Sequence, residues 1–266
     1  MRFGCCLNMV STKPDGTGFE FIKSLAEIGF DYVELPLAEM TAMTEEDFDF
    51  VKTTLKENNI RCECCNNFFP KTVRLTGPEI DMEAILLYVE KSLGRASELN
   101  VKNVVFGSGG AKNVPQGFPL EDGYWQIVSL LKRIAPIAFR HNISIVIEPL
   151  RKVECNLINT FKEGCQLARD VNDPSVKVLV DYYHMRVEDE PVQHIAELGK
   201  EYLRHIHFAQ TNGRIYPASI QEDNYLPFIN VLKEIGYNER ISCEAYSTNF
   251  IKDAERTLKF FRENFE

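Results

Sequence analysis

Glu148, Asp181, His207 and Glu244 can all bind a metal, and each ends a short apolar run in the second half of the chain. The runs are Ile143-Ser-Ile-Val-Ile-Glu148, Lys177-Val-Leu-Val-Asp181, Leu203-Arg-His-Ile-His207 and Arg240-Ile-Ser-Cys-Glu244. Three carboxylates and one imidazole suit a single divalent cation such as Mn²⁺, Mg²⁺, Co²⁺ or Zn²⁺, whereas a structural zinc draws on thiolates. An ion held there would act as a Lewis acid on a carbonyl and its neighbouring hydroxyl, stabilising the charge left when the adjacent carbon loses a proton. One carboxylate would take that proton and a second, on the opposite face, would return it with inverted configuration. Glu148 and Glu244, on the runs that flank the set, are the candidates for this catalytic pair. Exchange between adjacent carbons on one face would instead give an aldose–ketose isomerisation.

Three further residues stand at offsets that suit a substrate pocket. His184 follows Asp181 by three, in Asp-Tyr-Tyr-His, and Glu154 follows Glu148 by six. Arg214 lies in Gln210-Thr-Asn-Gly-Arg-Ile-Tyr-Pro, just past His207. Its guanidinium could hold a hydroxyl, a carbonyl oxygen or a phosphate through forked hydrogen bonds. Each has a bland alternative: a loop histidine on a backbone carbonyl, a surface carboxylate, a solvated arginine. The loop Phe106-Gly-Ser-Gly-Gly-Ala-Lys112 matches neither the Walker pattern nor the Gly-x-Gly-x-x-Gly fingerprint, and it reads as tight backbone near a pocket mouth. A Gly-x-Ser-x-Gly nucleophile turn is absent.

Positioning these residues falls to an alternation of short strand-like and longer amphipathic stretches. The strand candidates are 2–7, 32–34, 61–65, 103–106, 144–148, 177–181, 205–208 and 241–244. Helix candidates lie between them at 17–28, 44–58, 81–99, 121–140, 159–171, 189–199, 222–235 and 250–264. In 81–99, Met82, Ile85, Leu86, Val89, Leu93 and Ala96 recur at spacings of three and four, which turns Glu83, Glu90, Lys91 and Arg95 outward. Thr44 and Thr160 are placed to cap their helices. Eight strand–helix repeats in 266 residues predict an α/β fold, a single (β/α)8 TIM barrel occupying residues 1–266 as one domain. In that fold all strands aim their C-terminal ends at one mouth, so the four runs would meet. The loops after strands three (66–80) and four (107–120) are the longest, followed by that after strand seven (209–221).

A formal charge of −9 argues against a surface that tracks nucleic-acid phosphates. No run approaches the roughly 18 to 20 apolar residues of a membrane span, so no membrane partner is expected. The first residues lack a signal-peptide h-region, which reads as a cytoplasmic protein. Eight cysteines without paired Cys-x-x-Cys spacing read as reduced thiols packed as small hydrophobes.

The order Glu148-Pro-Leu, Asp181-x-x-His184, His207-x₆-Arg214 and Cys-Glu244 resembles the xylose-isomerase-like superfamily of barrel enzymes, sugar (phosphate) isomerases and epimerases. The nearest likeness is to ketose 3-epimerases of the D-tagatose/D-psicose type. It runs over nearly the whole chain, with spacings of 33, 26 and 37 between the four donors. The resemblance implies a sugar or sugar-phosphate substrate and Mn²⁺ or a similar ion on Glu148, Asp181, His207 and Glu244. It also implies that His184, Arg214 and Glu154 contact the sugar. A homodimer or homotetramer is an open expectation. The chain departs from the pattern at Arg151-Lys-Val-Glu154, where those epimerases usually read Asn-Arg-aromatic-Glu, and Arg214 stands about one residue late. Three other readings share the site or the fold: an inosose-type polyol dehydratase, a non-catalytic sugar-binding barrel, and an apurinic-site endonuclease. The last needs more than the five histidines present and a basic face for DNA.

Overall fold

Val, Ile, Leu and Cys fill the short runs, and residues of this kind form strands that are buried on both faces. In the structure, a computed structural model describing residues 1–266, eight parallel strands close into a barrel in chain order. They are β1 (Arg2–Cys6), β2 (Tyr32–Pro36), β3 (Arg61–Asn66), β4 (Asn103–Phe106), β5 (Ser144–Ile147), β6 (Val176–Asp181), β7 (Leu203–Phe208) and β8 (Arg240–Cys243). The barrel closes where β1 pairs with β8.

Alternation along the strands sorts side chains to two places. Val104, Phe106, Ile145, Ile147, Val178 and Val180 point outward into the apolar layer beneath the helices, while Val105, Val146 and Leu179 pack together inside the barrel. The rest of the interior is polar. On its floor, Glu63 accepts from Arg2 (2.6 Å) and Arg240 (2.7 Å). Above that, the Tyr32 hydroxyl meets Ser242 Oγ at 2.8 Å, and Cys64 lies against His205. Strict alternation would set Cys62 and Cys65 on opposite faces. A register shift between β2 and β3 at Val33/Glu34 turns both into the outer layer, sulfurs 3.8 Å apart, and leaves Cys64 inside. All eight cysteines are buried and free.

The predicted helices are present. Thr160 forms a full capping box with Glu163, and Thr44 caps by accepting from Asp47 N. Three helices start later than predicted, as Ile22–Ile28 (after a 3-10 turn at Phe19–Phe21), Gln193–Tyr202 and Leu226–Glu234. Pro191 disfavours a helical residue before it, and Pro227 is seated in a first helical turn. Arg95 corrects the helical-face reading: it is buried, and its guanidinium donates to the carbonyls of Met40 and Met43. Those carbonyls end a short helix, Leu37–Ala42, that the periodicity did not predict. Two more, Gly109–Lys112 and Tyr182–Val187, follow β4 and β6 in the same way. Each is too short to carry a readable apolar period. No helix is long and apolar enough to cross a membrane.

Candidate active site

Glu148 and Glu244 each stand one residue past a strand end. Their backbone N–H groups extend the ladder by donating to Phe106 O and Phe208 O, both at 3.2 Å. Asp181 ends β6 and pairs with His207 in register. The four predicted ligands therefore share the barrel mouth, buried, with donor atoms all within 4.8 Å of one another. His207 Nδ1 is 3.0 Å from Glu148 Oε1 and 3.2 Å from Glu244 Oε2.

Glu34 is the residue that sequence reasoning passed over. It is fully buried on β2, and its carboxylate accepts from His205 Nε2 (2.8 Å), His207 Nε2 (3.0 Å) and Ser242 Oγ (2.6 Å). The one signal in the sequence was a lone acid inside the apolar run Tyr32-Val-Glu-Leu-Pro. A carboxylate on the far nitrogen of a ligand histidine fixes its tautomer and ring orientation. With Nε2–H donated to Glu34, His207 Nδ1 is the nitrogen turned toward Glu148 and Glu244, and an ion bound there would take the place of its proton. That arrangement, three converging carboxylates beside one oriented imidazole, fits a divalent ion.

The charges shape one another. Burial pushes the Glu148 carboxyl up, and the neighbouring Glu244 adds to this against the pull of His207. Burial acts on Glu244 too, but Arg214 and His207 outweigh it and hold that carboxyl below the usual range. For His207, the carboxylates of Glu244 and Glu34 overcome desolvation and raise it well above an ordinary imidazole. Desolvation wins at His205, which is lowered.

The structure also brings the three expected substrate residues to the mouth. His184 stands in the helix Tyr182–Val187, whose first turn is capped by Asp181 Oδ1 accepting from His184 N at 3.2 Å. The cap turns Asp181 Oδ2 toward Arg214 Nη2, 3.1 Å away. Arg214 also reaches Glu244 Oε2 at 2.5 Å and lies over the Tyr183 ring. Its backbone is left-handed (φ 51°), an uncommon state for arginine, and the chain on either side is pinned by Gln210 N to Ile215 O and Tyr246 N to Arg214 O. Glu154 is half-buried, gripped by Arg151 at 2.5 Å, with Oε2 3.9 Å from His184 Nε2. Gly107 makes room for the Glu148 carboxylate: a Cβ at that position would overlap Glu148 Oε2. Lys112, fully buried, donates to Glu148 O at 3.0 Å and holds that backbone from below.

Glu148, Glu154, His184, Arg214 and Glu244 line a cavity of about 590 Å³ at the C-terminal mouth. A cavity of equal size on the floor is lined by Arg2, Arg61, Glu63, Lys102 and Arg240 and has no ligand cluster, so the chemistry belongs to the mouth.

A family model described as "Xylose isomerase-like TIM barrel" matches residues 22–264. The chain belongs to that family. Among its relatives there, the D-psicose 3-epimerase of Ruminiclostridium cellulolyticum is 24% identical over 238 residues, 85% of this chain and 77% of that protein. The L-ribulose 3-epimerase of Methylomonas sp. is 25% identical over 240 residues, 86% of this chain and 79% of that protein. A crystal structure of D-psicose 3-epimerase with D-tagatose from Clostridium cellulolyticum H10 superposes with a TM-score of 0.87 at 19% identity, covering both chains completely, and shares the fold. The family's sugar epimerases match this chain along most of its length, and it is an isomerase-class enzyme.

Proposed function

We propose that this protein is a metal-dependent carbohydrate epimerase or isomerase that moves a proton at the carbon beside a keto sugar's carbonyl. The observation that carries this reading is the placement of two buried carboxylates, Glu148 and Glu244, about one imidazole nitrogen in one cavity. Glu148, Asp181, His207 and Glu244 would hold the divalent ion, Mn²⁺ in the first instance, which supplies Lewis-acid stabilisation of enediolate charge. Glu148 and Glu244 remove and return the proton. Arg214 keeps Glu244 ionised and oriented. His184 Nδ1 and Arg214 Nε are buried without partners in the protein, and a substrate oxygen would satisfy them. Glu154, steadied by Arg151, accepts from a sugar hydroxyl. The apolar residues Phe69 and Leu150 on the cavity wall limit water at the reacting carbon.

Solvent exchange tests this. Mn²⁺-loaded protein in D₂O is expected to place deuterium beside the carbonyl of a ketose, with D-psicose and L-ribulose as the first probes. Glu148→Gln and Glu244→Gln are each expected to abolish the exchange. Full exchange in either variant removes that residue from the proton-transfer role.

A further inference from the structure

The floor of the barrel holds a cavity as large as the mouth and of opposite charge. It measures about 590 Å³ and is lined by four cations, Arg2, Arg61, Lys102 and Arg240, against the single carboxylate of Glu63. The chain as a whole carries −9, so this end is a local positive field that attracts anions. Each cation stands at a strand start: Arg2 opens β1, Arg61 opens β3, Lys102 precedes β4 and Arg240 opens β8. Barrel closure gathers these starts around one cavity, as it gathers the metal-capable residues at the opposite end.

The Glu63 carboxylate is buried and already satisfied. Its Oε1 accepts from Arg2 Nη2 at 2.6 Å, and its Oε2 accepts from Arg2 Nε at 3.0 Å and Arg240 Nε at 2.7 Å. This clamp fixes two guanidiniums and leaves Arg2 Nη1 and Arg240 Nη2 with no partner in the protein. Of the acids close by, Asp31 accepts from Phe3 N at 2.8 Å, and Glu239, half-exposed, stands 3.5 Å from Arg240 Nη1. Arg61 and Lys102 are exposed, and neither side chain makes an ion pair or a hydrogen bond within the chain. The backbone of Lys102 is held by its N–H donating to Glu63 O at 2.8 Å.

The lining therefore offers many N–H donors and almost no free acceptor, which suits a ligand whose oxygens only accept. Guanidinium forks match phosphoryl oxygens with paired hydrogen bonds. Four cations against one carboxylate exceed the charge of a single phosphate and match that of two linked phosphoryl groups. Leu99 is the one apolar residue of the lining, so there is no flat face on which a nucleobase would stack.

We propose that the barrel floor is a binding site for a small diphosphoryl anion, held by Arg61 and Lys102 at the rim and by Arg2 and Arg240 beside Glu63. It is separate from the mouth, because the fully buried Tyr32, Ser242 and Glu34 fill the interior between the two.

Calorimetric titration of inorganic diphosphate into the Mn²⁺-loaded protein tests this. Diphosphate also binds Mn²⁺, so the titration is repeated on chelator-stripped protein. One saturable site per chain is expected in both forms, weakened by added salt, with orthophosphate bound at least about tenfold less tightly. Arg61→Gln and Lys102→Gln, both at exposed positions, are each expected to raise the dissociation constant about fivefold, and the double variant about 20-fold or more. Absence of saturation up to about 1 mM diphosphate overturns the proposal, as does binding that disappears with the metal. So does an unchanged dissociation constant in the double variant, or citrate binding more tightly than diphosphate.

Discussion

Replacing Glu34 by Gln isolates the part played by a carboxylate that touches neither the proposed ion nor the cavity. Both side chains have the same shape, so the packing of β2 is kept. The change removes the charge and turns one acceptor oxygen into a donor N–H₂. Three donors converge on Glu34: His205 Nε2 at 2.8 Å, His207 Nε2 at 3.0 Å and Ser242 Oγ at 2.6 Å. The glutamine oxygen can serve the pair that already shares Oε2, His205 and Ser242. His207 Nε2 then faces an N–H₂ donor and is satisfied only by giving up its own proton. The proton moves to Nδ1, the nitrogen that faces Glu148 and Glu244 and that a metal needs bare. Loss of such an outer partner typically weakens metal affinity about 10- to 100-fold, or about 1.4 to 2.8 kcal/mol. Calorimetric titration of Mn²⁺ into chelator-stripped wild type and Glu34→Gln measures this directly, with circular dichroism confirming the fold. Ser242→Ala is the control, since it removes a donor to Glu34 while leaving His207's partner in place. A Glu34→Gln dissociation constant within twofold of wild type would refute the tautomer argument.

Other perturbations probe separate parts of the site. Gly107→Ala would press a methyl on the end of the Glu148 side chain, which can swing aside; the melting temperature should barely change. A displacement of about 1 Å at the proposed catalytic carboxylate can nonetheless cost roughly 100-fold in turnover, and a variant of unimpaired kcat would contradict the role proposed for Glu148. Stripping the ion should lower the melting temperature by roughly 5–10 °C relative to protein at 100-fold the dissociation constant, from about 2.7 kcal/mol of linkage; calorimetric scans with and without chelator read this. On the floor, burial works to raise Glu63, but hydrogen bonds from Arg2 and Arg240 prevail and hold it below the usual carboxylate range. Because the folded value is the depressed one, this stabilisation is complete above the unfolded value near pH 4 and is lost as pH falls through the folded one. Urea melts should therefore show Glu63→Gln less stable than wild type by about 1 kcal/mol at pH 7, discounted because its partner Arg2 is half-exposed, with the gap closing below pH 4.

Much of the site was legible in the chain because barrel strands are short and end abruptly. A run such as Lys177-Val-Leu-Val-Asp181 states both its burial and its mouthward residue. Eight such runs determine a closed barrel and a meeting point for Glu148, Asp181, His207 and Glu244. Arg95 was misread because its outward place in the helical period is overridden by two carbonyls of a helix from a different part of the chain. Asp181 was read as a ligand, but its capping of the helix Tyr182–Val187, which aims its second oxygen, depended on a turn too short to signal itself.

The sequence by itself determined the strand count, the fold, the candidate donor set and the family resemblance, since these follow from local periodicity and from residue types at strand ends. Only the tertiary structure decided that Glu34 orients His207, that Gly107 makes space for Glu148, and that Glu39 and Lys71 face the same cavity as the quartet. Those relations join residues 41 to 205 positions apart. They arise when the barrel closes, because burial then forces each polar group to find a partner that no local pattern names.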